Sequence, residues 1–276
     1  MEADTQVVPP LPITSDERER ATTTVLRSGP PVIEPAPAGP AARFAERFGP
    51  ENPIRIFLLA LLTGYALLVT GMVFLGFTLI YLVLPVGGLR EADEDVSTWL
   101  ADNRTPTLED ASWVGSTLAG GHVIPFVIGL CLVFFLFTRR WLLAAFVLFA
   151  VVLESGTYRL TSWIVERERP DVKRLESLPV DASYPSGHTA ASVALYGGLL
   201  ILLASKIDNV AVRVAALLVG IAIPLFVAWS RMYRGMHHLS DVGAGMLMGL
   251  GALAVIVFVA RATRSAARRR AEVRAT

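Results

Sequence analysis

Two histidines, two arginines and a carboxylate stand at the edges of long apolar stretches, in three short segments. These are Arg169-Pro170, Pro185-Ser186-Gly187-His188, and Ser230-Arg231 followed by His237 and Asp241. Four residues apart on a helix, His237 and Asp241 would share a face, so the carboxylate could hold one ring nitrogen and leave the other as a nucleophile. A polar cap where a span meets water would give the same pair. The tetrapeptide directly precedes an apolar run, so its N–H groups should face outward from a helix start, where free donors and the dipole favour an anion. Pro185 and Gly187 allow a tight turn and close approach of backbone to a phosphate. His188 would then stand beside that group, placed to protonate a leaving oxygen, although Ser-Gly before a helix is also an ordinary cap. Arg169 and Arg231 add guanidinium forks that pair with phosphate oxygens, or else anchor span ends to headgroups. Together the segments suit chemistry on a phosphate attached to a lipid.

The elements that must position them are membrane spans. The chain has 276 residues, of which 53% are hydrophobic, and a mean hydropathy of +0.53, values of a membrane protein. A hydrocarbon core of roughly 30 Å takes about 20 apolar residues as helix. Ile56–Leu84, Val123–Phe137 (extended through Gly120, Gly121 and His122), Trp141–Val165, Thr189–Ala204, Val214–Trp229 and Val242–Ala260 meet this, some marginally. The expected fold is an all-α, six-helix membrane bundle over residues 53–262. Residues 1–52, rich in proline without helical or strand period, read as a disordered cytoplasmic tail, and residues 263–276 as a basic cytoplasmic tail. Cys131 is alone, so the chain forms no intrachain disulfide and reads as a small buried hydrophobe there. Gly245 and Gly249, four apart in the last span, suit close helix packing.

Orientation follows the positive residues near span ends. Arg43, Arg47 and Arg55, then Arg139 and Arg140, then Lys206 and Arg213, then Arg261 to Arg274 fall on one side, read as the cytoplasm. The three segments fall on the other, beside an acidic loop from Pro85 to Gly121. Arg167, Arg169, Lys173 and Arg174 lie against the charge rule on that outer side, where an anion to bind would account for them.

The three segments resemble the signature of the type 2 phosphatidic acid phosphatase superfamily. Its motifs are Lys, six residues, Arg-Pro; then Pro-Ser-Gly-His; then Ser-Arg, five residues, His, three residues, Asp. The second and third match in full, and order, spacing and placement agree from Ile56 to Ala260. That resemblance implies His237 as the nucleophile forming a phosphohistidine, Asp241 as its orienting partner, and His188 as the acid that then activates water. It implies Arg169, Arg231, Ser186 and Gly187 as the phosphate cradle, with no metal and no cofactor. Helix geometry would also let His238 face Asp241; only the family spacing selects His237. Where the family has lysine, this chain has Ser162. Arg159, one turn earlier on the same face, is a candidate replacement, or a partner of Glu154 within the bundle. Arg167, Lys173 and Arg174 are further candidates.

The expected protein is a metal-independent lipid phosphatase of a bacterial plasma membrane, both termini cytoplasmic and the site extracytoplasmic, with lipid and bilayer rather than nucleic acid as partners. A polyprenyl phosphate or diphosphate is the favoured substrate, phosphatidate and phosphatidylglycerol phosphate the close ones. A phosphotransferase using a lipid phosphate donor, and a non-catalytic lipid-binding or transport protein, are the alternatives. Haloperoxidases share this site chemistry, but six apolar spans argue against one.

Overall fold

The structure is a computed structural model and describes residues 30–177 and 181–275. Its elements, all helical among the described residues, are α1 (Pro40–Phe48), α2 (Pro53–Val83), α3 (Leu89–Asp102), α4 (Pro106–Leu118), α5 (Val123–Phe137), α6 (Trp141–Ile164), α7 (Gly187–Ala204), α8 (Val210–Tyr233) and α9 (Leu239–Ala275). Five of them, α2 and α6 to α9, are long and apolar enough to cross a membrane; α4 and α5, bent by 44°, together make up to a sixth span. Local chemistry sets their starts. Pro53 sits in the first turn of α2 behind Asn52, whose side chain accepts from the Arg55 N–H at 3.0 Å.

Leu62, Leu67, Phe74, Phe126, Val133, Leu218 and Ile221 are all exposed. Such an apolar girdle would be an aggregation surface in water and is what hydrocarbon requires. The interior is built by α6, α7 and α9, with Phe146, Val147, Leu153, Leu195, Leu253 and Ile256 in one cluster. Here α9 lies almost on the backbone of α7. A Cβ on Gly245 would come within 2.5 Å of the Ser186 carbonyl oxygen, and one on Gly249 within 2.6 Å of Val193 Cβ. Small residues at this spacing therefore let the last span hold the turn carrying Ser186 and His188.

Three expectations change. The outer loop from Pro85 to Gly121 holds two helices, α3 and α4, with the Gly120-Gly121 break between α4 and α5. Ser112 and Ser116 on α4 turn inward and are buried, for a reason the site makes plain. At the opposite end, residues 30–52 are not the disordered tail expected; residues 1–29 lie outside the described part. Ala41 and Ala45 of α1 pack against Ala262 and Ala266. Glu34 pairs with Arg264 at 2.5 Å and with Arg268, and Glu46 pairs with Arg269. Proline-rich composition hid a short run of alanines at helical spacing, and the basic end of α9 supplies the partner that composition alone could not show. That end is itself helical to Ala275, not a separate tail.

Candidate active site

The spacing of the third segment is the spacing of a helix end. At the close of α8, Gly235 N–H donates to Met232 O (2.9 Å) and Met236 N–H to Arg231 O (3.0 Å), the paired bonds of a Schellman turn. Gly235 has φ +69°, and a Cβ there would meet Val172, Arg104 and Lys173 within 3.1 Å, so only glycine fits. The turn reverses the chain, sets His237 ahead of the next helix, and starts α9 at Leu239. Arg231 is thus a buried side chain in the last turn of one span, and His237 follows the turn.

His237 is 2% exposed, and its Nδ1 lies 2.7 Å from the Ser183 carbonyl oxygen. A carbonyl can only accept, so Nδ1 carries the proton and Nε2 keeps its lone pair. Burial, then the charges of Arg231 and Arg169, hold its pKa well below the ordinary value of 6.5, so the ring is neutral. His188 also acts electrostatically on it. His188 itself is half-buried in the first turn of α7, where the first ladder bond is Ala190 N–H to Ser186 O. The N–H groups of Gly187, His188 and Thr189 precede that ladder and form the free donor end of the helix. Ser186 is fully buried, its hydroxyl sharing a 2.9 Å hydrogen bond with the Thr189 hydroxyl and its N–H bonded to Asp241 O. Gly187 is needed for the Tyr158 ring, 3.0 Å from where a Cβ would stand.

Asp241 does not meet His237. Because His237 precedes α9 instead of lying within it, the shared-face argument falls on the next residue. Asp241 Oδ2 accepts from the His238 backbone N–H at 2.9 Å and lies 3.1 Å from His238 Nδ1, a carboxylate reaching back to the N-cap as in a capping box. Oδ1 accepts from Arg167 at 2.5 Å. Arg167 also donates to Asp93 at 2.7 Å, and His238 Nε2 lies 2.9 Å from Glu94. An acidic pair on α3 is thereby tied to the turn that carries His237. Arg167, expected as a spare phosphate ligand, is committed to these carboxylates, and Arg174 pairs with Asp181 at 2.9 Å. Fixed acids, rather than a bound anion, account for both.

His238 has its pKa raised: burial opposes this, but Asp241 and then Glu94 outweigh it. A raised folded value means the stabilisation is complete below the unfolded value of 6.5 and is lost as pH rises through the folded one. His238→Gln should therefore lower stability by roughly 1–2 kcal/mol at about pH 6 and by less at about pH 9. Thermal melts in detergent at both pH values check this; an equal loss at both would refute it.

Arg231 is 0% exposed. Its Nη1 donates to Ser116 Oγ and to Glu176 Oε2, each at 2.5 Å, while its Nε and Nη2 are buried without a hydrogen-bond partner among the described residues. Arg169 is buried and donates to the Met236 carbonyl, bracing the turn that carries His237. Ser162 bonds back to Tyr158 O at 2.8 Å, so it is a helix-satisfied hydroxyl. Arg159 is exposed and lines a 660 Å³ cavity with Ser162, Trp163 and Arg167. Its alternative partner Glu154 hydrogen-bonds to Ser155 instead, and no ion pair joins Arg159 and Glu154 among the described residues. Sequence reading passed over Ser116, Glu176, Arg104 and Arg234. Arg104 donates to Tyr233 O and Lys173 O, and Arg234 to Ser112 Oγ, Leu175 O and Glu176. These are long-range contacts with no local spacing to mark them; the buried serines of an apolar-edged helix are the nearest thing to a signal.

Residues 142–265, which contain all three segments, match the family model described as the PAP2 superfamily. Phosphatidylglycerophosphatase B of Bacillus subtilis (strain 168) is 26% identical over 188 residues, 64% of this chain and 87% of that protein. Among solved structures, a transmembrane PAP2-type phosphatidylglycerolphosphate phosphatase from Bacillus subtilis superposes with a TM-score of 0.57 at 20% identity. The alignment covers 74% of this chain and 93% of that one, and it establishes the shared fold, a multi-pass helical membrane bundle. Aquifex aeolicus LpxE aligns with a TM-score of 0.45 at 21% identity, over 58% of this chain and 92% of that one.

Proposed function

For a chain that carries a PAP2 superfamily domain over residues 142–265, we propose a lipid phosphate phosphatase working through a phosphohistidine. The observation that carries this is His237: a buried, neutral imidazole whose Nδ1 is fixed on the Ser183 carbonyl, leaving Nε2 as a lone pair beside arginines. Nε2 attacks phosphorus as the bond to the lipid oxygen breaks, and His188 gives that oxygen its proton. Neutral His188 then takes a proton from water, the resulting hydroxide attacks the phosphorus, and the P–N bond breaks to return orthophosphate and free His237. The Arg231 fork and the free N–H groups of α7 hold the equatorial oxygens. Asp241 contributes at one remove, by fixing His238, Arg167 and the Ser186 N–H around the turn. Arg159, on the cavity wall, is the cation proposed in place of the missing lysine.

The helices alternate in direction, so the site gathers at the end of the bundle opposite Arg139, Arg140, Lys206 and the basic end of α9. By the positive-inside rule that end is extracytoplasmic, on a bacterial plasma membrane. The name of the Bacillus relative supports a glycerolipid phosphomonoester of the phosphatidylglycerol phosphate kind; the polyprenyl preference gains no such support. Purified protein in detergent should release orthophosphate from at least one of phosphatidylglycerol phosphate, phosphatidate, polyprenyl phosphate and polyprenyl diphosphate, with or without EDTA. No release from any of them would leave a binding protein, and transfer to an added alcohol acceptor without free phosphate would leave a transferase; either result decides against hydrolysis.

A further inference from the structure

We propose that Glu176 is a positioning residue for phosphate binding, acting with Ser116 to hold Arg231 by one nitrogen so that its opposite edge meets the phosphate. Guanidinium offers five N–H donors in a rigid plane. Two are used at Nη1, on Ser116 Oγ and Glu176 Oε2. The edge formed by Nε and Nη2, the fork that grips an oxyanion bidentately, is buried and has no hydrogen-bond partner among the described residues. A salt bridge built for stability would fill that edge, because each buried donor left unpaired costs about 1–3 kcal/mol. This one leaves it unpaired, and Arg231 exerts the largest charge effect on the His237 ring.

Glu176 is itself held rigidly for the task. Its other oxygen accepts from Arg234 Nε at 2.5 Å, and Arg234 is fixed by Ser112 Oγ and Leu175 O at 3.2 Å each. The Leu175 N–H bonds back to Arg234 O at 3.0 Å, so the loop carrying Glu176 is stitched to the end of α8. Burial alone would raise the carboxyl pKa, but Arg231 and Arg234 hold it at about 2, so its charge is constant across working pH. Glu176 takes Nη1 and not the fork, which separates a positioning role from that of an internal anion competing with substrate.

The inference rests on the phosphatase reading only for the identity of the anion, and its test needs no turnover. Binding of orthovanadate to the full-length protein in detergent is measured by calorimetry. Glu176→Gln should weaken it roughly tenfold, Arg231→Gln by at least that, and Glu176→Gln added to Arg231→Gln should weaken it no further. Ser116→Ala, which keeps every charge, should weaken binding roughly threefold or more and serves if Glu176→Gln does not fold. Unchanged binding in both single variants, an equal loss from Glu176→Gln in either background, or tighter binding that marks Glu176 as a competitor would each overturn the proposal. Vanadate bound through this arrangement by a protein that hydrolyses no lipid phosphate would sink the phosphatase reading and leave the positioning role standing.

Discussion

His237→Ala is expected to lower phosphate release by about 10⁴-fold or more, with no phosphoenzyme formed. The size follows from the absence of a substitute. The neighbouring imidazole, His238, has both ring nitrogens engaged, Nδ1 with Asp241 at 3.1 Å and Nε2 with Glu94 at 2.9 Å, so it offers no lone pair. His237 differs because, among the described residues, its one side-chain hydrogen bond goes to a carbonyl, and because burial and two arginines keep it unprotonated. Its depressed pKa also fixes the sign of the pH dependence: the nucleophile persists as pH falls below 6.5 and is lost only at lower pH. Protein incubated with a ³²P-labelled lipid phosphate and denatured in alkali should retain acid-labile label in the wild type and in His238→Gln, and none in His237→Ala. Label on His237→Ala, or turnover above about 1% of wild type, would assign the nucleophile elsewhere.

Much of this arrangement was legible in the residues. Long apolar runs gave the bundle, because a span must satisfy its backbone internally and has one way of doing so. Arg231, Arg169 and His188, all from the three segments, act electrostatically on His237. What failed was the assumption of one unbroken helix through His237 and Asp241. Gly235, at positive φ and two residues before His237, closes the end of α8, and α9 starts two residues after His237, at Leu239, shifting Asp241's partner by one position. Such a shift is decided by backbone hydrogen bonds to Arg231 and Met232, which no side-chain pattern records. Glu176, Ser116 and Arg104 were out of reach for another reason. Their partners lie 55 to 129 residues away in sequence, and their own neighbours carry no period. Residues 30–52 show the reverse case, where composition concealed a short helix that packs against the later part of α9 and pairs with its basic end.

The second large effect separates the two chemical steps. His188→Gln should slow release from a lipid phosphate by about 10²–10⁴-fold, the usual worth of a positioned acid and base. An alkoxide leaving a lipid phosphate needs that proton; a nitrophenolate does not, since it is a stable anion at neutral pH. With p-nitrophenyl phosphate the first step should therefore survive in His188→Gln, while hydrolysis of the phosphohistidine, which needs a base to activate water, stays slow. The expected result is a burst of nitrophenol equal to the enzyme present, followed by a slow steady rate, in stopped-flow absorbance. The position of His188 supports this division of labour. It stands in the first turn of α7, where Gly245 and Gly249 hold that helix against α9 and the Ser186 N–H is bonded to Asp241. The residue is half-buried, unlike His237, and in the proposed cycle it exchanges a proton with water between steps. A loss of equal size on lipid and nitrophenyl substrates, with no burst, would mean that His188 binds phosphate in both steps and transfers no proton in either.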